Sequence, residues 1–443
     1  MKIILLSGGS GKRLWPLSND ARSKQLLKVL CAPGGEKESM IQRIVRQIRE
    51  TGLTDEIVVA IGAKQRDAIE LQLGDEITIV AEPSSRHTFP AIALACSYLA
   101  EQATPADEPI IVVPSDTFTD NSYFQSIREM ADAVTHRVAD LVLMGIEPTY
   151  PSTLYGYILP AEHSGSDPVA VKNFIEKPSA EVAERLIAAG ALWNGGVFAF
   201  RLGYLMDILQ RMMPGADYRT LRANYEAMPK SSFDYAVVEK SESIAAVVYR
   251  GRWKDIGTWN SLTEELSERV HGNVKSEACD DTYIINELEI PLVCLGGKNM
   301  VVAASPDGIL VTERGLSENL KHLVDGLGKR PMYETRRWGE YKVIDSVEYP
   351  DGYCALTKRL TLQPGKNISY QRHNCRTEVW TFLSGRGEIV LNGRRSPVNR
   401  GDVFTIPKGM LHGLRAITPL TFIEVQSGTN LVEEDIERFD FEW

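Results

Sequence analysis

Residues 3–13 read Ile3-Ile4-Leu5-Leu6-Ser7-Gly8-Gly9-Ser10-Gly11-Lys12-Arg13. An aliphatic run of strand length passes directly into a glycine-rich loop and then into two cations. Glycine removes the side chains that would keep backbone N–H groups away from an anion, and Lys12 and Arg13 add positive charge at the same point. Ser7, Gly8, Gly9, Gly11, Lys12 and Arg13 therefore read as a cradle for phosphate oxygens. The loop is not a Walker loop, because Arg follows the Gly-Lys pair where Ser or Thr is required. It also fails the dinucleotide pattern at the third glycine.

Working outward, short aliphatic runs recur at residues 57–61, 77–80, 110–113 and 141–146. Between them, residues 40–50, 66–73 and 90–102 carry apolar side chains at helical spacing. Alternation of this kind predicts an α/β domain, Rossmann-like, with a mostly parallel sheet and helices on both faces. Ligands of such sheets lie at the carboxyl ends of the strands, where the glycine loop falls. From residue 283 the pattern changes to short β segments (283–286, 293–295, 300–303 and 308–311) joined by Gly, Asn and Asp turns. Residues 326–329 read as a linker. Beyond Trp338 nearly everything is β-like, with regular turn signals, which predicts a barrel or jelly roll. The expected domains are residues 1–265, a β-rich connector at 266–335, and a barrel at 336–443. No convincing internal repeat stands out.

The chain has 443 residues, beyond the usual size of one core, and a formal charge of −10. That charge gives no reason to expect nucleic acid or an anionic membrane as partner, so a phosphate ligand must be held by local cations. Six scattered cysteines (31, 96, 279, 294, 354 and 375) form no CxxC pair and read as reduced thiols. The first residues lack the pattern of a signal peptide, and no apolar run reaches membrane-spanning length. The expectation is a cytoplasmic protein.

Residues 6–20 (LSGGSGKRLWPLSND) and 23–29 (SKQLLKV) together are far more specific than the loop alone. They resemble the signature of the sugar-phosphate nucleotidyltransferases, and among these the mannose-1-phosphate guanylyltransferases. The likeness continues through Glu82-Pro83-Ser84-Ser85-Arg86-His87-Thr88, Val113-Pro114-Ser115-Asp116 and Phe174-Ile175-Glu176-Lys177-Pro178. It extends to Trp193-Asn194-Gly195-Gly196, to residues 233–240 (FDYAVVEK) and to residues 253–259 (WKDIGTW). The family reads Asn where His87 stands, a small residue where Phe89 stands, and Ala and His where Ser115 and Thr117 flank Asp116.

The chemistry implied is in-line attack of a sugar 1-phosphate oxygen on the α-phosphorus of a nucleoside triphosphate, with pyrophosphate leaving. Positioning and charge neutralisation supply most of such catalysis. The resemblance assigns Asp116 and Asp255 to Mg²⁺, a hard ion that takes carboxylates and substrate phosphates together. It implies that Arg13 steadies the β- and γ-phosphates and that Lys24 and Lys177 touch phosphate. Arg86 joins the nucleotide-binding set, and Gly156, Glu176, Lys177 and Asn194 the sugar-phosphate set. Trp15, Trp193 and Trp259 read as packing residues. GTP and mannose 1-phosphate are the expected substrates. Another triphosphate or hexose 1-phosphate, or a sensor that turns nothing over, remain the alternatives.

In the last hundred residues, Gly365, Gln371-x-His373, Glu378 and Gly385 follow the first cupin motif in spacing. Gly401, Pro407-x-Gly409 and His412 follow the second, with Ala416 where Asn is usual. Alternation along strands points Gln371 and His373 to one side. With Glu378 and His412 they make a two-nitrogen, two-oxygen set suited to zinc or a similar divalent ion. This region, with Arg337-Trp338-Gly339-Glu340-Tyr341, resembles the isomerase domain of bifunctional phosphomannose isomerase/mannose-1-phosphate guanylyltransferases. That implies mannose 6-phosphate and fructose 6-phosphate as ligands, with Arg376 as the residue that holds substrate or steadies an enediolate. The family reads Glu-His-Trp where this chain has Glu378-Val379-Trp380. A position next to a ligand on a strand is expected to face away from the metal. Isomerisation and metal binding without catalysis both stay open, as does a homo-oligomer.

Overall fold

The computed structural model describes residues 1–9, 12–74, 76–161, 168–327, 330–432 and 435–443. Gly11 and part of the expected linker lie outside the described residues. By contacts the chain divides into two bodies, residues 1–14 with 23–268, and residues 15–22 with 269–443.

The first body is built on a nine-stranded sheet. Lys2–Leu6 lies between Ile57–Gly62 and Pro109–Pro114, parallel to both, and Thr78–Glu82 extends the parallel run. Both faces of this region are covered, which explains why its strands read as continuous aliphatic runs. Ile3 and Leu5 enter one core with Ile41, Ile44 and Ile48, whereas Ile4 enters the opposite core with Ile92 and Leu99. Leu192–Arg201 then pairs antiparallel with both Pro109–Pro114 and Leu141–Ile146, so the sheet becomes mixed in its second half. Tyr157–Pro160 and Val169–Ile175 close that side.

Helices cover the faces where the spacing predicts them. Met40–Glu50 begins at a capping box, Ser39 Oγ accepting from Gln42 N at 3.3 Å while Ser39 N donates to Gln42 Oε1 at 3.1 Å. Its buried stripe of Met40, Ile41, Ile44, Val45 and Ile48 follows the helical period. Thr88–Glu101 is almost wholly buried, and Phe89, at 0% exposure, belongs to the core beneath it.

The second body holds two β units. In the first, Val270–Gly272, Tyr283–Asn286 and Met300–Ser305 pair parallel, and Val274–Glu277 pairs parallel with Leu292–Leu295. These are successive rungs of a coil, closed by the hairpin partner Gly308–Glu313. Residues 15–22 pack on this coil. Ser305 Oγ donates to Pro16 O at 2.6 Å, Asn19 Nδ2 to Asp307 Oδ2 at 2.8 Å, and both Nη atoms of Arg22 donate to Glu287 at 2.7 and 2.8 Å. Trp15 lies against Gly308, where a Cβ would come within 2.4 Å of its ring.

The second unit is a jelly roll of a six-stranded and a five-stranded sheet. Cys354–Leu362, Leu420–Gly428 and Arg376–Ser384 are consecutive antiparallel neighbours in the larger sheet. Asn367–Arg372 and His412–Ala416 pair in the smaller one. No helix among the described residues is long and apolar enough to cross a membrane.

Candidate active sites

The glycine loop leaves the carboxyl end of Lys2–Leu6. Ser7 is buried and donates its N–H to Ala60 O, which continues the ladder one residue past the strand. The loop carbonyls are pinned from below, Gly8 O by Gln25 Nε2 and Gly9 O by Gln65 Nε2, both at 3.1 Å. With its carbonyls held in this way, the loop leaves Gly9 at φ +103°, a conformation that favours glycine. Lys12 and Arg13 follow in a short 3-10 turn, with Arg13 exposed.

Asp116 follows Pro109–Pro114, and Ser115 fixes the turn by donating both its N–H and its hydroxyl to Leu6 O. Asp255 ends the strand Trp253–Asp255, which pairs with Thr117–Thr119 so that Asp255 stands opposite Thr117. Ile256 N donates to Asp116 O at 3.1 Å. The two carboxylates thus belong to one two-stranded corner. Lys24 Nζ lies between them, 2.6 Å from Asp116 Oδ2 and 3.6 Å from Asp255 Oδ1. Burial alone would lower the Lys24 pKa, but Asp116 and Asp255 more than offset it and leave it raised. Asp255 is raised, by burial first and by Asp116 as a like charge, against the pull of Lys24 and Arg13. Asp255 Oδ1 is buried and accepts no hydrogen bond. A buried carboxylate oxygen left without a hydrogen bond beside a second carboxylate fits a hard divalent cation.

A second cluster of the same body gathers the other expected residues. Glu176 is nearly buried, and Lys177 Nζ reaches its Oε1 at 2.5 Å from a backbone at φ +46°. Gly156 is required by contact, since a Cβ there would lie 2.5 Å from Glu176 Oε2. Asn194 N donates to Gly156 O at 2.7 Å, and its side-chain amide donates to Asp234 Oδ1 at 2.8 Å. Burial, and then Glu176, push the Asp234 pKa up to about 6. Asp234 carried no assigned role in the sequence reading, although it lies within one of the quoted strings. Arg86 behaves differently: its guanidinium bonds Glu226 and donates to Met228 O. His87 is exposed at the start of Thr88–Glu101 with φ +69°.

In the jelly roll, Gln371, His373, Glu378 and His412 are all buried and converge. One ligand atom each from His373, Glu378 and His412 lie within 4.8 Å of one another. Each histidine donates Nδ1–H to a backbone carbonyl, His373 to Asp435 O at 2.5 Å and His412 to Met410 O at 2.9 Å. Those bonds fix the tautomer and turn both Nε2 lone pairs toward Glu378. His373 Nε2 is 3.2 Å from Glu378 Oε1, and Gln371 Nε2 is 3.3 Å from His373 Nε2. Burial lowers both histidines, His373 to about 4, so both are neutral near pH 7 as metal ligation requires. The buried His412 Nε2 has no hydrogen-bond partner. Two neutral imidazoles, a carboxylate and an amide suit a divalent transition metal.

Arg376 is 3% exposed, so its guanidinium belongs to the barrel interior. It donates Nε–H to Glu378 Oε1 at 2.9 Å and Nη1–H to Val432 O at 3.0 Å. Along Arg376–Ser384 the buried positions are 376, 378, 380 and 382, so Val379 faces the other side, opposite Val425. Val379 is therefore not a group that lines the metal-directed cluster.

A family model described as nucleotidyl transferase matches residues 2–270, and one described as mannose-6-phosphate isomerase C-terminal matches residues 329–441. Mannose-1-phosphate guanylyltransferase RfbM of Salmonella typhimurium is 31% identical, covering 99% of this chain and 96% of the relative. The chain belongs to the mannose-1-phosphate guanylyltransferase family. Other relatives of that family include the Escherichia coli mannose-1-phosphate guanylyltransferase, 32% identical over 98% of this chain and 97% of its own. The xanthan biosynthesis protein XanB of Xanthomonas campestris is 34% identical over 99% and 97%. A solved structure from Thermus thermophilus, described as a mannose-1-phosphate geranyltransferase, superposes with TM-score 0.60 at 28% identity, over 73% of this chain and 98% of that one.

The barrel interior also holds polar residues that the guanylyltransferase and cupin signatures did not single out. Glu424 and Gln426 are buried on the strand next to that of Glu378, and Lys358 is buried on the strand beyond it. Their only mark in the sequence is alternation: Phe422, Glu424 and Gln426 point one way while Ile423 and Val425 point the other.

Proposed function

We propose that the first body joins GTP to mannose 1-phosphate, releasing pyrophosphate and forming GDP-mannose. The observation that carries this reading is Lys24 held between Asp116 and Asp255, with the buried Asp255 Oδ1 left without a hydrogen bond. In this reading Ser7, Gly8, Gly9 and Gly11 offer backbone N–H groups to the triphosphate. Lys12 and Arg13 neutralise its outer phosphates and the departing pyrophosphate. Arg86 completes the nucleotide-binding set by steadying the loop that follows Glu82. Lys24 holds the α-phosphate in line with the attacking oxygen. Glu176 and Asn194 bind sugar hydroxyls, Lys177 the sugar phosphate, and Gly156 leaves room for Glu176. Asp116 and Asp255 would hold Mg²⁺, which would supply neutralisation of the charge that develops on the phosphates. We place the boundaries of the functional domains at 265 and 335.

Pyrophosphate release from GTP and mannose 1-phosphate tests the reading. Asp116→Ala and Asp255→Ala are expected to lower kcat by at least ~10³-fold with folding intact, since charge neutralisation carries most of this catalysis. No pyrophosphate from any triphosphate and hexose 1-phosphate pair would sink the reading.

A second activity rests on the unpaired His412 Nε2 within the buried His373, Glu378 and Gln371 cluster. We infer that the barrel binds zinc or another divalent metal and interconverts mannose 6-phosphate and fructose 6-phosphate. The metal when bound would polarise the oxygens on C1 and C2. Arg376 orients Glu378 and adds positive charge beside an enediolate. Metal content per chain and conversion of fructose 6-phosphate are the checks. A chain that holds metal and converts nothing would leave the barrel a binding module.

A further inference from the structure

Isomerisation between C1 and C2 needs a group that takes a proton from one carbon and returns it to the other. The metal-directed side chains are poorly placed for this. His373 and His412 have their Nδ1–H bonds committed to carbonyls and their Nε2 atoms turned toward the cluster. Glu378 accepts from Arg376, from Trp380 Nε1 at 3.1 Å, and from Gln426. A further buried carboxyl on the same interior face is Glu424. Glu424 stands directly across the strand pairs from Lys358 on one side and Trp380 on the other. Gln426 Nε2 bridges it to the cluster, 3.1 Å from Glu424 Oε1 and 3.4 Å from Glu378 Oε1.

We propose that Glu424 is the proton carrier of the barrel's sugar isomerisation, with Lys358 across the strands as its charge partner. The assignment rests on the isomerase reading above. A buried carboxyl facing a buried lysine is an expensive pair to keep for packing alone, because apolar residues of the same volume often stabilise as well or better. The groups facing Glu424 are Lys358 from one neighbouring strand, and Trp380, Glu378 and Arg376 from the other, with Gln426 two residues on. His373 and His412 also feel the charge of Glu424. Burial, and then the like charge of Glu378, push the Glu424 pKa up to about 7. A carboxyl near neutrality can both accept and return a proton.

The step balances within the substrate. In open-chain mannose 6-phosphate the C2–H bond breaks and its proton passes to the Glu424 carboxylate. The electron pair forms C1=C2, and the C1 carbonyl electrons move onto O1. The hydroxyl proton then passes from O2 to O1, C2=O forms, and Glu424 returns its proton to C1. Nothing is oxidised or reduced overall, and no co-reactant is consumed.

The test compares wild type with Glu424→Gln and Glu424→Asp in the full metal-loaded chain. Four quantities are read: metal per chain, thermal midpoint, fructose 6-phosphate conversion, and deuterium uptake into the sugar phosphates from D₂O. Glu424→Gln is expected to keep metal and midpoint while losing conversion and deuterium uptake by about 10²–10⁴-fold, with Glu424→Asp recovering part of both. If Glu424→Gln converts and exchanges within about threefold of wild type, or if it loses its metal, the assignment is overturned. A wild type that carries metal and neither converts nor exchanges overturns the isomerase reading, and the proton-carrier role with it.

Discussion

Asp234 holds its proton to about pH 6 because burial and the neighbouring Glu176 disfavour the charged form, against the amide of Asn194. The unfolded carboxyl titrates near 3.9, so between roughly pH 4 and 6 the folded state binds more protons. This group's stabilising share is complete below that window and is lost as the pH rises through it. Asp234→Asn is therefore expected to gain on wild type by roughly 1–3 kcal/mol between pH 4 and 7, allowing for screening at a half-buried group. Urea midpoints of both proteins across that range check it, and parallel curves would refute it. Residues of this kind were only half legible. Asp116, Asp255, Glu176, His373, Glu378 and His412 lie in strings whose spacing is itself informative, and the structure distributes them over three clusters, Asp116 with Asp255, Glu176 with Asn194, and His373 with Glu378 and His412. Asp234 was inside such a string without a role, because its bond to Asn194 crosses 40 residues. Glu424 and Lys358 had only strand alternation to mark them.

At the scale of elements, helices were readable wherever a cap and an apolar stripe coincide, as at Met40–Glu50, whose bounds match the sequence pattern. The parallel strands of the first body were readable because burial on both faces makes them uniformly aliphatic. The later mixed pairing was not, since antiparallel and parallel neighbours leave the same apolar run on a strand such as Leu192–Arg201. The coil after residue 269 escaped in a different way. Its strands from residue 283 onward were located, Val270–Gly272 and Val274–Glu277 were not, and its stacking was invisible, because backbone pairing rather than repeated side chains links Val270 to Ile284 and Ile284 to Val302. Gly272 carries that stacking. It lies at φ +86°, and a Cβ there would stand 1.9 Å from Asn286 O. Gly272→Ala is expected to cost ~2 kcal/mol or more and to lower the thermal midpoint, because neither clashing group is a flexible side-chain end. An unchanged midpoint would show that the rungs can separate without cost.

Across the whole molecule, each body builds its candidate site from its own residues, Lys24, Asp116 and Asp255 in one and His373, Glu378 and His412 in the other. The order of the two bodies was legible because the sequence changes texture between them. The route of the chain was not. Residues 15–22 lie within the best-recognised string of the first body, yet they pack with the second, through Pro16, Asn19 and Arg22. The bidentate Arg22–Glu287 pair is part-buried, with Arg22 19% and Glu287 28% exposed, and its geometry sets it above the ~1 kcal/mol or less of an isolated surface pair. The chain is thus stitched through its second body before that body has begun in sequence. Cutting the thread at 268 does not undo a stitch. A protease nick at that junction is expected to give two fragments on a denaturing gel and one peak on a sizing column, and Arg22→Ala should loosen that association.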